Sequence, residues 1–222
     1  MAGAHTCRGG IRRSQSELPI QSARNISDQI HDVKAAVRWL RANASTYGLD
    51  SNRFGAWGPS SGGHLVNLLG TSAGVSAMDG ALGPTNQSTR VQAVVDWYGP
   101  TDFLQMDAHR LPNSEPHDSR DSPESRLLGG PLQQMQEAAK AANPIAYVTR
   151  DDPPFLIFHG DNDHTVPPHQ STLLREALAK AGVKVQFHSV TGADHGGPLF
   201  QTDEIARMVV GFFDQQLKRR AD

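Results

Sequence analysis

A serine hydroxyl is a poor nucleophile until a base takes its proton, and an imidazole serves as that base when a third group fixes its tautomer. Three segments of the chain carry candidates for these parts. Gly58-Pro59-Ser60-Ser61-Gly62-Gly63-His64 has the G-x-S-x-G spacing of a sharp turn that projects its central serine. Glycines two positions before and two after Ser60 are expected there, because a Cβ at either place would collide across the turn. A helix starting at Ser61 would point its free amides back at the site, so the Ser61 N–H could hold an oxyanion. His159-Gly160-Asp161-Asn162-Asp163-His164-Thr165-Val166-Pro167 offers two acids to orient an imidazole, and the residues barely separate Asp161 from Asp163. Gly192-Ala193-Asp194-His195-Gly196-Gly197 places His195 among small residues with room to reach a serine. Each segment has an ordinary reading when taken singly: a glycine-rich turn, an Asx turn with solvated carboxylates, a surface histidine. A phosphate loop would need the G-x-x-x-x-G-K-[ST] spacing, and a calcium loop a glycine at its sixth position and a terminal glutamate. Neither pattern occurs.

The elements that must position these residues follow from periodicity. Residues 1–26 read as an irregular N-terminal segment. From Ser27 the pattern turns helical, with Ile30, Val33, Val37, Leu40 and Ala44 at spacings of three and four and Gly48 as the stop. Arg53–Gly58 is a short strand entering the first glycine-rich turn, and a helix follows from Ser61 to about Leu69. Val91–Tyr98 is nearly continuously apolar, as a buried parallel strand is. Residues 99–150 are rich in Pro, Asp, Ser and His, with one helical stretch near Leu132–Ala142, and suggest a cap-like insertion at about 100–150. Phe155–His159 is a strand, Pro168–Ala181 a helix stopped by Gly182, and Val183–Val190 a strand. Ile205, Met208, Val209, Phe212 and Phe213 mark the inner face of a last helix. Four strands alternating with about five helices predict an α/β domain over 27–222, a mostly parallel sheet with helices on both faces. Each candidate segment then lies in the turn after a strand, where ligands of open parallel sheets sit.

Composition narrows the function classes. The chain has 222 residues, with 23 Asp and Glu against 21 Lys and Arg, a formal charge of −2, so nothing suggests a basic face for nucleic acid. No run approaches the roughly 20 apolar residues that cross a bilayer. Met1 to Arg13 lacks the apolar stretch of a secretory signal, so a cytoplasmic protein is expected, with secretion left open if the N-terminus is incomplete. The single Cys7 excludes an internal disulfide and a thiolate zinc site. The ten histidines form neither an H-E-x-x-H nor a Cys/His set, so no metal site is expected. His64 is expected to pack at its helix start, and Trp39, Trp57 and Trp97 to belong to the core. For Leu104–Arg126 a cap over the site and a solvated loop are equally compatible with the residues.

Ser, then Asp, then His, each after a successive strand, is the chain order of α/β-hydrolases. From about His31 the sequence resembles bacterial α/β-hydrolase esterases of the acetyl esterase and feruloyl esterase type. The resemblance rests on HDVKAAVRWLRANA (31–44), GPSSGGHL (58–65), YGPTDF (98–103), DSPESRLLGGP (121–131), PFLIFHGDNDHTVPPHQS (154–171) and GADHGGP (192–198), and covers about four-fifths of the chain. It implies a nucleophile at Ser60, a general base at His195, the second acid of the H-G-x-x-D-x-x-V-P pattern, Asp163, as its partner, and the Ser61 amide at the oxyanion. It implies a cofactor-free serine esterase for short acyl groups, acetyl or feruloyl, on small-molecule or saccharide alcohols. A prolyl-oligopeptidase-type serine peptidase shares the order, and a catalytically weak hydrolase-fold binding protein is the rival from another class.

The chain departs from the family's pattern in three places. Ser61 replaces the usual Ala, and Asp194 replaces a Gly and puts a negative charge beside His195. At the front, where the family carries further strands and a His-Gly-Gly-Gly type loop, the nearest text is Arg8-Gly9-Gly10, so the chain resembles an esterase shortened at its N-terminus. A missing second oxyanion amide would cost about 10²–10³ in turnover unless Gly9, Gly10 or another subunit replaces it. Strand Arg53–Gly58 would become a sheet edge, covered by residues 1–26 or by a second copy in a homo-oligomer.

Overall fold

Two strands with hardly a polar residue set the plane of the molecule. In the computed structural model, which describes residues 4–6, 12–14 and 26–218, β1 (Ala4–Thr6) and β2 (Arg12–Ser14) form an antiparallel pair of their own. The main sheet contains β3 (Gly55–Pro59), β4 (Ala93–Trp97), β5 (Phe155–Gly160) and β6 (Val185–Val190) in that order, all parallel. Its register sets Trp57 against Val95, Val95 against Leu156 and Leu156 against Gln186. β5 is buried along its whole length and β4 nearly so, which explains why both read as apolar runs rather than alternating ones.

Alternate side chains of these strands feed two cores. Val94, Phe155 and Ile157 pack with α1 (Ile26–Ala42), α2 (Ser61–Thr71) and α6 (His169–Ala181) on one face. Ala93, Val95, Leu156 and Phe158 pack on the other face with α7 (Asp203–Leu217), through Ile205, Val209, Phe212 and Phe213. Three short helices complete the fold: α3 (Ser76–Asp79), α4 (Pro123–Leu128) and α5 (Gln136–Ala142). α3 and α4 were not expected from periodicity, because four to six residues hold too few turns to show one. α4 nevertheless has legible ends: the Ser122 hydroxyl accepts the Ser125 amide, Pro123 opens the first turn, and Gly129 closes it in the left-handed region.

The 72–90 loop is fastened to α1 by a row of cations. Lys34, fully buried, donates to the Ser72 carbonyl at 2.6 Å and to Asp79 Oδ1 at 2.7 Å. One turn on, Arg38 donates twice to the Leu82 carbonyl, and Arg41 then reaches the Ser51, Ser88 and Arg90 carbonyls. Burial lowers the Lys34 pKa, and Asp79 opposes the shift. Among the described residues no helix is long and apolar enough to cross a membrane.

β3 pairs with β4 alone among the described residues, so it is a sheet edge as expected. The described parts of the segment expected to cover it pair with each other instead, and the rest of residues 1–25 lies outside the described residues, as do Cys7, Gly9 and Gly10. Two of the three tryptophans are not core. Trp39 is 45% exposed, tilted against Tyr47 at 5.5 Å. Trp57 is 37% exposed because the sheet ends at its strand, and it meets Trp97 edge-on at 4.9 Å. Residues 103–135 pack through Phe103, Met106, Leu128 and Leu132 into the α1 side of the core. Two short 3-10 turns, Phe103–Gln105 and Asp107–His109, order the start of this segment.

Candidate active site

β3 ends in a turn that the backbone could not make with ordinary side chains. Ser60 sits at φ 53°, ψ −123°, a conformation that L residues rarely adopt and that lifts its side chain clear between strand and helix. The glycine pattern around it is partly as expected. A Cβ at Gly58 would lie 2.4 Å from the Gly62 backbone, so position 58 must be glycine. Gly62 is less constrained than the spacing suggested, since its Cβ would meet Pro59 Cδ at 3.3 Å. The tight position is Gly63, where a Cβ would fall 2.4 Å from Asp96 Oδ1 and 2.8 Å from the Gly99 Cα. α2 starts at Ser61, so the Ser61 amide stands at the positive end of that helix beside the Ser60 side chain. His64 packs beneath it as expected, bonded to the Pro100 carbonyl and stacked on Phe103 at 4.9 Å.

The turns after β5 and β6 complete the arrangement. His195 Nε2 is 2.8 Å from Ser60 Oγ, and His195 Nδ1 is 2.8 Å from Asp163 Oδ2. A carboxylate can only accept, so Nδ1 carries the imidazole proton and Nε2 presents its lone pair to the Ser60 hydroxyl. Asp163 Oδ1 accepts the amides of Thr165 and Val166, each at 2.8 Å. Asp163 is fully buried, which alone would raise its pKa. The N–H groups of His159 and His195 and the Val166 amide outweigh burial and hold it below the usual carboxylate range.

The two acids that the residues could not separate have different partners. Asp161 accepts the Gly192 amide at 2.7 Å and so fastens the acid turn to the turn that carries His195, whereas Asp163 meets the imidazole. Asp194 fastens the same two turns from the other side, its Oδ1 accepting the amides of His164 and His195. Tyr98 lies edge-on to the His195 ring at 4.6 Å and limits its movement. A cleft of about 530 Å³ opens at His195, bounded by Thr165, Gly192 to Asp194 and Gly196 to Leu199. Ser114 Oγ, from the 103–135 segment, approaches His164 Nδ1 at 3.3 Å.

Behind the serine turn lies Asp96, a buried carboxylate that did not stand out within an apolar run. Its Oδ1 accepts the Gly99 amide and its Oδ2 the Asn67 side chain, which fixes β4 against α2 just where Gly63 passes. Burial pushes its pKa up to about 6, against those two hydrogen bonds. Aspartate in an unfolded chain titrates near 4, so the fold holds this proton more tightly. Asp96 therefore favours the folded state at low pH, and that contribution is lost as pH rises through about 6. Asp163 has the opposite sign: it stabilises the fold above the ordinary aspartate range and ceases to do so as acid protonates it. Asp96→Asn should remove the first effect. Relative to the parent, its unfolding free energy should gain about 2 kcal/mol between about pH 4.5 and pH 7.5. Urea unfolding at the two pH values measures this, and an unchanged difference would show that Asp96 carries no such cost.

A parallel sheet with helices on both faces, and a serine at a strained strand-to-helix turn, define the class as α/β-hydrolase. The family model BD-FAE matches residues 18–178, and the chain belongs to that family. It is 34% identical to Esterase LipC of Mycobacterium tuberculosis over 198 residues, 86% of this chain and 47% of that protein. It is 36% identical to Esterase LipQ of the same organism over 179 residues, 78% of this chain and 39% of that protein. The chain thus spans about half the length or less of these curated relatives. A solved structure described as a truncated form of a carbohydrate esterase from gut microbiota superposes with a TM-score of 0.81 at 35% identity, covering 90% of this chain and 72% of that one.

Proposed function

We propose that the protein is a serine esterase. Ser60 attacks the ester carbonyl while His195 Nε2 takes its proton, and Asp163 holds the imidazolium that forms. The Ser61 amide stabilises the oxyanion. His195 then returns the proton to the departing alcohol, leaving an acyl group on Ser60 that a water molecule, activated by the same imidazole, removes. The unbroken line of hydrogen bonds from Ser60 through His195 to Asp163, at 2.8 Å each, carries this reading. Of the candidate replacements for the second oxyanion donor, Gly9 and Gly10 lie outside the described residues.

The substrate class is a neutral ester of a short acyl group on a small alcohol or sugar. Two observations support it. Among the described residues the cleft at His195 is bounded by no Lys or Arg, and it carries a carboxylate at Asp194, a poor setting for an anion. The relative of known structure with 35% identity is described as a carbohydrate esterase. Acetate release from neutral acetylated xylo-oligosaccharides should exceed release from counterparts bearing a uronic acid beside the ester. Mass spectrometry after rapid acid quenching should place the transient acyl group on the peptide containing Ser60. An acyl group found on another peptide would refute the role given to Ser60, and faster turnover of the acidic sugars would refute the substrate class.

A further inference from the structure

β5 is buried throughout, yet one of its side chains is polar and has no part in the ester chemistry just described: His159, 1% exposed. Its Nε2 lies 2.9 Å from the Val166 carbonyl and 3.2 Å from Asp163 Oδ2, and its Nδ1 lies 2.7 Å from Ser171 Oγ on α6. Both neighbours of Nε2 are acceptors, so Nε2 bears the proton. In the neutral ring Nδ1 is then the acceptor and the Ser171 hydroxyl the donor. The oxygen that His159 addresses is the same Oδ2 that accepts Nδ1–H of His195.

We propose that His159 is a positioning residue for the base: it shares Asp163 Oδ2 with His195, thereby moderating the basicity of His195, and Ser171 holds its ring in place. This inference rests on the reading of Ser60, His195 and Asp163 as a catalytic triad. The His159 Nε2–H is bonded to the Val166 carbonyl, yet Asp163 Oδ2 lies 3.2 Å from the same nitrogen, and a carboxylate oxygen beside one N–H dipole draws less strongly on a second. Without the His159 donor, the charge of Asp163 would fall more fully on His195, and the imidazole would hold its catalytic proton to higher pH. Fewer molecules would then present a free Nε2 to Ser60 at neutral pH.

The other groups around the pair leave this role to His159. Asp163 Oδ1 is occupied by two backbone amides. β4 contributes Asp96, whose oxygens are committed to Asn67 and Gly99. Tyr98, just after β4, faces Asp163 and packs against the His195 ring. Asp194, after β6, is engaged by the His164 and His195 amides. α6 presents Ser171 and Gln170, both uncharged, and the Gln170 side chain is bonded to the Thr101 and Asp102 backbone.

The test is the pH dependence of kcat/KM for p-nitrophenyl acetate in the full chain, in His159→Phe, His159→Gln and Ser171→Ala. Phenylalanine fills the ring's volume and donates nothing, so the acid limb of the profile should move up by about half to one pH unit. Glutamine can place an amide N–H near the position of Nε2 and should bring the limb back toward the parent. Ser171→Ala should move it the same way by a smaller amount. A residue that merely fills space would lower the yield or the Tm and leave the limb where it was. A folded His159→Phe with an unshifted or lowered limb therefore overturns the proposal, and Ser171→Ala decides the matter if His159→Phe does not fold. Failure of the triad reading is a separate outcome, seen as ester turnover that survives Ser60→Ala.

Discussion

Replacing Ser60 by alanine should lower kcat/KM for p-nitrophenyl acetate by about 10⁴-fold or more. The side chain lost is small and, among the described residues, hydrogen-bonds to His195 Nε2. What disappears is therefore the proposed nucleophile and little of the fold. Stability gives an independent check, because the residue pays for its reach with backbone strain at φ 53°. Alanine inherits that strain and should melt close to the parent. Ser60→Gly, whose backbone adopts positive φ without penalty, should be inactive yet more stable than Ser60→Ala by about 1 kcal/mol or more. Thermal melts of the three proteins read this directly. Turnover retained by the alanine variant would mean that another group performs the attack, and a glycine variant no more stable would mean that the turn is unstrained.

The second large effect is expected at Asp163→Asn, a change of one atom. Oδ1 accepts two backbone amides, from Thr165 and Val166, so the asparagine must keep its carbonyl oxygen there. Its NH₂ group is then forced into the place of Oδ2, facing His195 Nδ1 and His159 Nε2, both of them donors in the parent. Two donors cannot face a donor, so His195 must move its proton to Nε2, where it points at Ser60 and can no longer take the hydroxyl proton. The expected loss in kcat is about 10⁴-fold at neutral pH, with KM much less affected. His159 can keep its Nε2 proton on the Val166 carbonyl, the nearer of its two acceptors at 2.9 Å. The variant should therefore fold. NMR of ¹⁵N-labelled histidine would report the exchanged tautomer, and a variant with nearly full kcat would show that the acid does not govern the base.

Much of this site could be read from residue order because its parts obey local rules. The serine turn needs glycine where strand and helix nearly touch, and at Gly58 that need is absolute. The sheet was legible for a similar reason: β4 and β5 are buried on both faces and therefore almost uniformly apolar. Where the decisive contact was distant, the residues were silent. Asp161 and Asp163 are chemically alike, and which one meets His195 depends on how the turn after β5 lies against the turn after β6. The same distance hid the roles of Asp96 and His159. The signal available for both was a polar residue inside an apolar run, and it says that a partner must exist without saying which. Trp39 and Trp57 failed in the opposite direction: a large apolar ring reads as core, yet Trp57 lies on the edge strand β3 and Trp39 on α1 is 45% exposed beside Tyr47.

The sheet's spatial order, β3 to β6, repeats the order in which the strands are made. α2 and α6, which carry two of the three connections, lie on one face, and right-handed crossovers on one face always step in the same direction. A nascent chain can therefore lay down each strand beside the one before it, with no gap left for a later strand to enter. Ser60 precedes the imidazole that it meets by 135 residues, and that imidazole follows β6, one of the two edge strands of the sheet among the described residues. On the proposed mechanism, Ser60 has no base until β6 docks, and a chain lacking the turn after β6 would carry an inert hydroxyl at its elbow. Ester turnover, on that mechanism, would therefore report that β6 has docked beside β5.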